Sequence, residues 1–271
     1  MHAIVYNNLS RAWHEAFQHL IGNGGKAVHL AVAIQRPLEP EEDAVRSTLD
    51  AFLKDRRRVD GRVWPVSTVA NTMFPSAFYR PGREDARARL FELHGKAQRM
   101  QQRMRDPENY FNRLVAYPKP GGEPFNQLEY VVDRLISQRK PRKAGGAMSS
   151  AYEVGLSAPD GGDLRVQAPG QDRRLMSFPC LSHISFTLDG DTLNLAALYR
   201  NQYFVTRAYG NYLGLARIGH FIAQEVGIEL GEVLCVATHA DAQFGDLGKG
   251  RVEQLARTLR SVAESAGALS A

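Results

Sequence analysis

Apolar residues recur at steps of three and four in several stretches of this chain, a spacing that predicts helices with one buried face. The clearest case is residues 126–136, where Leu128, Val131, Val132 and Leu135 follow that repeat. The same reasoning predicts helices over residues 9–20 (with Ser10 as the N-cap), 41–53, 83–105, 211–226 and 251–264. Within residues 63–79, Pro65 and Pro75 bracket a core that contains Ser, Thr and Asn, and we interpret this segment as a structured loop leading to a short helix. Residues 158–170 are interpreted as a loop.

Strands are predicted where apolar residues are dense or alternate with polar ones, over residues 27–34, 182–188, 192–199 and 232–237. The middle two flank Asp189-Gly190, the strongest short signal for a β-hairpin. Apolar residues alternate from Leu193 to Tyr199, so one face of that strand is expected to be buried. Helices and strands are mixed without regular alternation, which predicts an α+β fold with a mixed β-sheet backed by helices.

The composition is that of an ordinary globular protein, with 44% hydrophobic and 23% charged residues. No apolar run approaches the roughly 18–20 residues that span a bilayer, and the N-terminus lacks the basic region of a signal peptide, so a cytoplasmic location is expected. The 34 basic and 29 acidic residues give a net charge of +5, which weakly favours anionic partners. Because the basic helix at residues 83–105 lacks interleaved aromatic residues, the pattern argues against nucleic-acid binding and favours a solvated face.

The chain has two cysteines, Cys180 and Cys235, which match no metal-ligand spacing. Cys235 sits in an apolar run and is predicted to be a core residue. Cys180 follows Phe178-Pro179 directly before the predicted hairpin, and Arg200 comes at the far end of the second strand. Antiparallel pairing is expected to make Cys180 and Arg200 neighbours, and a nearby guanidinium favours the nucleophilic thiolate. A buried structural role for Cys180 is the alternative.

From Pro179 onward, the chain resembles the core of the thymidylate synthase family. Cys180 completes a Pro-Cys pair, Arg200 follows twenty residues later, and Asn211 follows eleven residues beyond it, without a gap in either spacing. Further matches are Ala223-Gln224, the segment from Glu229 to Glu232, and Thr238-His239. A weaker resemblance over residues 110–152 includes Tyr110 and the pair Arg142-Lys143. The resemblance implies a single domain over residues 1–271, with residues 1–105 divergent.

The resemblance also implies roles for the matching residues. Cys180 is expected to add to C6 of a pyrimidine, which makes C5 a nucleophile toward a one-carbon unit, and Tyr110 to assist loss of the C5 proton through water. Arg200 is expected to bind the 5′-phosphate, since its planar fork suits phosphate oxygens, with Asn201 where the family has a phosphate-binding serine. Asn211 is expected to hydrogen-bond N3 and O4 of the ring, which favours uracil over cytosine.

His239 is expected to bind the ribose hydroxyl or a water molecule. Because the family is an obligate homodimer with shared sites, Arg142 and Lys143 are expected to reach a phosphate in the partner subunit. Two alternatives stay open: His239 as a hydrogen-bonded core histidine, and Arg142 and Lys143 as a solvated charge pair.

Departures from the family pattern concentrate on the folate side. Tyr203 replaces the aspartate that fixes the pterin, Leu181 replaces the histidine after the nucleophile, and Asp241 replaces a tyrosine that holds the ribose. The N-terminal Arg-Thr-Gly motif is absent. The cofactor expected from the resemblance is 5,10-methylenetetrahydrofolate, with Tyr203 at its binding position.

The preferred prediction is a Cys180-dependent transferase of altered specificity that moves a methyl or hydroxymethyl group to C5 of a pyrimidine nucleotide or a related ring. The alternative is a non-catalytic nucleotide-binding or sensor protein that keeps the thymidylate synthase fold.

Overall fold

The computed structural model describes residues 2–103, 109–118, 122–139, 164–168 and 179–269. Arg142, Lys143 and most of the predicted loop at residues 158–170 lie outside the described residues. The described chain divides into two compact units. The first unit comprises Met1–Ala70, Leu198–Leu213 and Glu232–Ala271, and the second comprises Asn71–Ala197 and Gly214–Gly231.

The strands form one mixed sheet, which confirms the predicted α+β class. Their bounds are β1 His2–Tyr6, β2 Lys26–Ile34, β3 Leu164–Arg165, β4 Leu181–Asp189, β5 Thr192–Tyr199, β6 Gln202–Tyr203 and β7 Glu229–Asp241. The order is β1-β2-β7-β5-β4-β3, and β6 pairs with the end of β7. β1 runs parallel to β2, and β6 runs parallel to β7. The β2–β7 and β3–β4 pairs are antiparallel.

Helices supply the rest of the regular structure. Their bounds are α1 Leu9–Gly22, α2 Asp43–Val59, α3 Val66–Met73, α4 Ala86–Arg103, α5 Tyr110–Val115, α6 Gln127–Arg139, α7 Tyr209–Val226, α8 Phe244–Leu247 and α9 Lys249–Leu269. A π-helical turn, Phe204–Ala208, leads directly into α7. Within the described residues, no helix has both the length and the apolar character needed to cross a membrane.

The core of the first unit is aromatic where α1 meets the start of α7. Trp13 and Phe17 are fully buried and stack with ring centroids 5.3 Å apart. Tyr209 meets the Trp13 ring edge-on at 5.4 Å. Its hydroxyl lies 2.7 Å from the buried Ser10 Oγ. This packing fixes the N-terminal end of α7 against α1. Asn211, one of the predicted site residues, lies in the first turn of α7.

The second unit has its own aromatic core. Phe74 packs edge-on against Phe111, with ring centroids 5.5 Å apart, and also contacts Phe221. Tyr79 packs on Phe221 at 5.0 Å, and its hydroxyl donates to Glu225 Oε1 at 2.8 Å. Burial, aided by the Glu225 carboxylate, raises the pKa of Tyr79 far above its ordinary range, so this phenol is neutral at physiological pH.

Two local predictions were wrong for identifiable reasons. Ser10 is not the N-cap of α1, because Asn8 Oδ1 accepts from the Ser10 N–H at 2.8 Å and takes that role. Helix α2 continues six residues past Leu53 and includes Arg56, Arg57 and Arg58, since no helix-breaking residue intervenes before Asp60-Gly61. The short helix predicted within residues 63–79 is present as α3, which has eight residues and starts directly after Pro65.

Two buried histidines are expected to make the free energy of unfolding depend on pH. Burial lowers the pKa of His14, partly opposed by the Glu15 carboxylate, and burial lowers the pKa of His94, both from an ordinary value of 6.5. Below about pH 6.5 the unfolded chain therefore binds more protons than the native state, so acid favours unfolding and stability rises with pH. We expect the melting temperature to fall between pH 7.5 and pH 5.5.

Substitution of these histidines isolates their contribution to that fall. His14→Gln and His94→Gln are expected to flatten the pH dependence, and the exposed His29→Asn is the matched control. Asparagine is chosen at position 29 because His29 has a positive φ of 56°, which asparagine tolerates. An unchanged slope in both buried-histidine variants would assign the acid sensitivity to other groups.

Candidate active site

The segment that joins β5 to α7, residues 200–208, carries most of the site residues predicted in the first unit. Its first four residues are bonded to the end of β7. Thr238 Oγ1 donates to the backbone carbonyl of Arg200 at 2.6 Å. Gln202 and Tyr203 then pair in parallel with Ala240 and Asp241. These bonds hold the backbone of residues 200–203 in place. The side chains of Arg200 and Asn201 therefore extend from a fixed segment at the end of β5.

Asn201 and His239 are brought together in this arrangement. His239 Nδ1 lies 2.7 Å from Asn201 Oδ1, and both side chains are half-buried. An amide oxygen only accepts, so Nδ1 carries the proton and Nε2 of the neutral ring is left as an acceptor. An acceptor at Nε2 suits a hydroxyl group of a sugar or a water molecule. The bond therefore fixes the chemical face that His239 can offer a ligand.

Asn211 lies in the first turn of α7 and is only 4% exposed. Among the described residues its Oδ1 is buried without a hydrogen-bond partner. A buried acceptor without a donor costs roughly 1–3 kcal/mol, and such groups are rare in folded proteins. A ligand that brings an N–H group to this position would remove that cost.

The π-helical turn before α7 is held by buried polar contacts from distant parts of the chain. Gln243 Oε1 accepts from both the N–H and the hydroxyl of Thr206, at 3.0 Å and 2.9 Å. Trp13 Nε1 donates to the Phe204 carbonyl at 3.3 Å. Gln243 itself has a positive φ of 62°. Single π turns are often found at functional sites, and here three side-chain contacts fix the shape of one.

A second buried chain of contacts lies beneath the same segment. Tyr212 donates to Gln202 Oε1 at 3.2 Å, and Gln202 Nε2 lies 3.5 Å from the sulfur of Cys235. Burial raises the pKa of the Cys235 thiol to about 12, and the side chain is 1% exposed. The prediction that Cys235 is a core residue is therefore confirmed.

Cys180 and Tyr110 belong to the second unit. Cys180 is half-buried and directly precedes β4, whose first residue, Leu181, is fully buried. Tyr110 is the first residue of α5, which Asn109 caps by accepting from the Asn112 N–H at 2.7 Å. Neither of the two cysteines, both within the described residues, forms a disulfide. The proximity of Cys180 and Arg200 stays a prediction.

Sequence reasoning missed two residues that shape this region. Gln243 follows the matching Thr238-His239 pair by only a few residues, but its link to Thr206 depends on a left-handed backbone that the sequence does not signal. Arg207 is half-buried in the π turn, with its guanidinium 5.0 Å from the centre of the Trp64 ring. The Arg-Trp pair is distant in sequence, and no short motif announces it.

Tyr203, at the position where the resemblance expects an aspartate that binds the folate, does not supply a carboxylate. Tyr203 is 42% exposed and offers one phenolic hydroxyl where the resemblance places two carboxylate oxygens. Its neighbour in register, Asp241, accepts from the Gln243 N–H at 2.6 Å and lies 4.0 Å from the Lys26 ammonium. The described residues therefore do not fit the expected cofactor contacts. They also contain no group of three or more metal-ligating side chains.

Comparison with known proteins gives a partial relationship. No family model matches the chain. A curated protein of Methanocaldococcus jannaschii described as "Putative thymidylate synthase" is 28% identical over 123 residues, which are 45% of this chain and 49% of that protein. A protein of Methanococcoides burtonii with the same description is 23% identical over 124 residues, 46% of this chain and 49% of that protein. The matched region spans about half the length of these curated relatives.

Proposed function

We propose that the protein is a Cys180-dependent one-carbon transferase that acts at C5 of a pyrimidine nucleotide or a related ring. The observation that supports the proposal is the Oδ1 of Asn211, a hydrogen-bond acceptor that is buried without a partner among the described residues. The names of the two archaeal relatives support the same chemistry.

The residues of the first unit bind the substrate in this proposal. Arg200 pairs with the 5′-phosphate through its planar donors, and Asn201 accompanies it. Nε2 of His239 accepts from a sugar hydroxyl, because Asn201 holds the proton on Nδ1. Asn211 receives the ring N–H on its buried oxygen and offers its amide N–H groups to the neighbouring carbonyl.

The chemistry follows from the ring. The Cys180 thiolate forms a bond to C6 and the C5=C6 π electrons move toward C5 and O4, so that C5 becomes nucleophilic. C5 then attacks the carbon of a one-carbon donor at the formaldehyde oxidation level. The bond between that carbon and the nitrogen of its carrier breaks, the carrier leaves as a protonated amine, and water supplies the oxygen of a hydroxymethyl product. Loss of the C5 proton through a water held by Tyr110, followed by cleavage of the sulfur–C6 bond, restores the double bond and the thiol. A hydroxymethyl product needs no reductant, whereas a methyl product needs a two-electron donor.

Tritium release tests this proposal. The nucleotides UMP, dUMP, CMP and dCMP, each labelled with tritium at C5, are incubated with the protein in the presence and absence of 5,10-methylenetetrahydrofolate. We expect release from at least one nucleotide. If tritium is released only in the presence of the folate, the folate is the one-carbon donor, even though Tyr203 stands where the family has an aspartate. No release from any of the four contradicts the transferase proposal.

A nucleotide-binding protein without turnover is the second candidate, and Tyr203 at the folate position favours it. It requires that a nucleotide raises the melting temperature while no tritium is released. Ligand at about 100 times its dissociation constant stabilises the native state by about 2.7 kcal/mol, which a thermal shift resolves. The absence of any shift contradicts both candidates.

We also propose that the protein forms a homodimer through one face of β1, β2 and β7. On this face Ala31, Leu234 and Val236 are half-exposed and Val5 is 52% exposed, whereas Ile4, Leu30, Val32, Val233 and Cys235 on the opposite face are buried. Ala31 pairs with Val236, and Ala33 pairs with both Leu234 and Val5, so these residues form a continuous apolar surface. A flat apolar surface of this kind suits an isologous contact with a second copy.

Introducing a charge into the centre of this surface is expected to separate the copies. In Val236→Arg the guanidinium would be buried without a partner in the dimer, which is strongly unfavourable. Sedimentation velocity is expected to give a dimer for the wild type and a monomer for Val236→Arg. Val59→Arg, at a position 74% exposed at the end of α2, is the control. A wild-type monomer at micromolar concentration contradicts the proposal.

A further inference from the structure

One face of the sheet is open to solvent where β2 begins and where β6 and β7 end. In β7, His239 and Asp241 are partly exposed on either side of the buried Ala240. In β6, Tyr203 is 42% exposed next to the buried Gln202. Successive side chains of a strand point to opposite faces, so the exposed positions of each strand share one side of the sheet, which we call the open face.

The strand register aligns two rows of side chains on the open face. In the first row, Val28 of β2 pairs with His239 of β7. In the second row, Asp241 of β7 pairs with Lys26 of β2 on one side and with Tyr203 of β6 on the other. Residues paired directly across two strands point to the same face, with Cβ atoms about 4.5–5.5 Å apart. Lys26, Asp241 and Tyr203 are therefore close enough to contact one ligand.

Asp241 can offer one of its two carboxylate oxygens to a ligand. Its Oδ1 accepts from the Gln243 N–H at 2.6 Å, which fixes the orientation of the side chain. Its Oδ2 lies 4.0 Å from Lys26 Nζ, too far for a hydrogen bond. Within the described part of the chain, Oδ2 has no hydrogen-bond partner. This oxygen is therefore a strong acceptor on the open face.

His239 supplies a second acceptor on the same face. Asn201 Oδ1 lies 2.7 Å from His239 Nδ1 and holds the proton there, so Nε2 accepts. His239 and Asp241 are alternate residues of one strand, so their Cα atoms lie about 6.6 Å apart. Two adjacent sugar hydroxyls, each about 2.7 Å from its acceptor, bridge a separation of this size.

The groups of the open face match a pair of hydroxyls better than a phosphate. A carboxylate repels an anion, whereas each hydroxyl donates one hydrogen bond and accepts others. Asp241 and His239 accept, while the ammonium of Lys26 and the hydroxyl of Tyr203 donate to the hydroxyl oxygens. A carboxylate that accepts from the 2′-hydroxyl of ribose recurs in nucleotide-binding proteins.

We infer that Asp241, assisted by Lys26, binds the 2′-hydroxyl of the substrate sugar, so that the protein takes ribonucleotides in preference to deoxyribonucleotides. This inference rests on the proposed function and names the sugar of its substrate. His239 accepts from the 3′-hydroxyl and Asp241 from the adjacent 2′-hydroxyl. Asp241 stands where the resemblance expects a tyrosine that holds the ribose, and its negative charge strengthens the bond that this position makes with a hydroxyl.

Isothermal titration with UMP, dUMP, CMP and dCMP tests the inference. The two members of each ribo–deoxy pair differ by one hydroxyl, so the ratio of their dissociation constants isolates the 2′-hydroxyl from the base and the phosphate. A site built to bind a hydroxyl rejects the analogue that lacks it, because its polar groups are then left unpaired. We expect the wild type to prefer the ribonucleotide by at least about tenfold, the value of one charged hydrogen bond.

Substitution of the two binding residues locates the preference. Asp241→Asn keeps an acceptor for the Gln243 N–H but loses the charge. Because a neutral hydrogen bond is about half as strong, the ratio is expected to fall from about tenfold to about threefold, through weaker binding of the ribonucleotide alone. Lys26→Met, at a side chain that is 67% exposed, is expected to lower the ratio in the same direction. Asp55→Asn, on the exposed side of α2, is the matched control and is expected to leave the ratio unchanged.

The 2′-deoxy-2′-fluoro analogue of UMP separates hydrogen bonding from size. Fluorine fills the position of the hydroxyl but has no hydrogen to donate to the Asp241 carboxylate. We expect this analogue to bind no more tightly than dUMP. Binding as tight as that of UMP would show that no acceptor reads the 2′-hydroxyl and would overturn the inference.

Three further results would overturn it. One is equal affinity of the wild type for the two members of each pair. Another is a ratio that stays unchanged in both Asp241→Asn and Lys26→Met, including an equal loss of affinity for UMP and dUMP, which assigns these side chains a general role. Both leave the proposed function standing. In the third, the wild type binds none of the four nucleotides, and the inference fails together with the proposed function.

Discussion

We expect Cys180→Ala to abolish tritium release from the C5-labelled nucleotide while nucleotide binding persists. The substitution removes the atom that forms the bond to C6, and no other step activates C5. Loss of a covalent nucleophile lowers turnover by at least about 10³-fold in comparable enzymes. The substitution leaves Arg200, Asn211 and His239, the proposed binding residues, unchanged, so the thermal shift with nucleotide is expected to remain. Release assays and thermal melts on the same preparations measure the two effects separately.

Cys235→Ala is the matched control for this prediction. Its thiol is buried with a pKa of about 12, so it is protonated and inaccessible at neutral pH. The variant is expected to keep tritium release, and the wild type is expected to lose release on alkylation at Cys180 alone. Full activity in Cys180→Ala would end the proposal of covalent catalysis. Activity lost in both variants would point instead to a structural role for both thiols.

The elements that sequence reasoning predicted well carry their own local signal. In α6 the four apolar residues of the predicted repeat, Leu128, Val131, Val132 and Leu135, are all buried. The hairpin of β4 and β5 turns at Gly190, which has the positive φ that a tight turn requires. In both cases the periodicity or the turn residue is sufficient, without knowledge of the partners in the fold.

The elements that were missed depend on tertiary partners. β1 has one buried residue, Ile4, among five, so its pattern does not differ from that of a loop, and pairing with β2 creates it. Strand β7 extends to Asp241, past the predicted end at Ala237, because it pairs with β2 along its length and with β6 at its end.

The candidate site divides in the same way. The resemblance named Asn201 and His239 separately, and the structure places them in hydrogen-bond contact. The sequence did not predict the π turn, because Thr206 is fixed by Gln243, 37 residues away, and Phe204 by Trp13, 191 residues away. Arg207 gains its position from that turn. Residue spacing identifies the side chains that match the motif of the family. Contacts between residues distant in sequence determine the conformation of the other segments of the site.

Trp13→Ala is expected to have the largest effect on stability. The indole is fully buried between Phe17, Phe204 and Tyr209, and its N–H satisfies the Phe204 carbonyl. Replacing a buried tryptophan by alanine removes apolar contacts and leaves a cavity, which costs about 3–5 kcal/mol. That is a large share of the roughly 5–15 kcal/mol that stabilises a typical domain. Chemical denaturation at pH 7.5 is expected to show the loss as a lower midpoint.

Trp13→Phe separates the two contributions. It keeps an aromatic ring in the core but removes the donor to Phe204, so the expected loss is smaller, about 1–3 kcal/mol. Leu38→Ala, at a position 51% exposed, is the control and is expected to stay within about 0.5 kcal/mol of the wild type. Because Phe204 begins the π turn that leads directly into α7 and to Asn211, a proposed binding residue, both Trp13 variants are also expected to weaken nucleotide binding under conditions where they remain folded. A destabilised Trp13→Ala that binds nucleotide with wild-type affinity would show that the turn keeps its shape without the indole, and that Gln243 alone is sufficient to hold it.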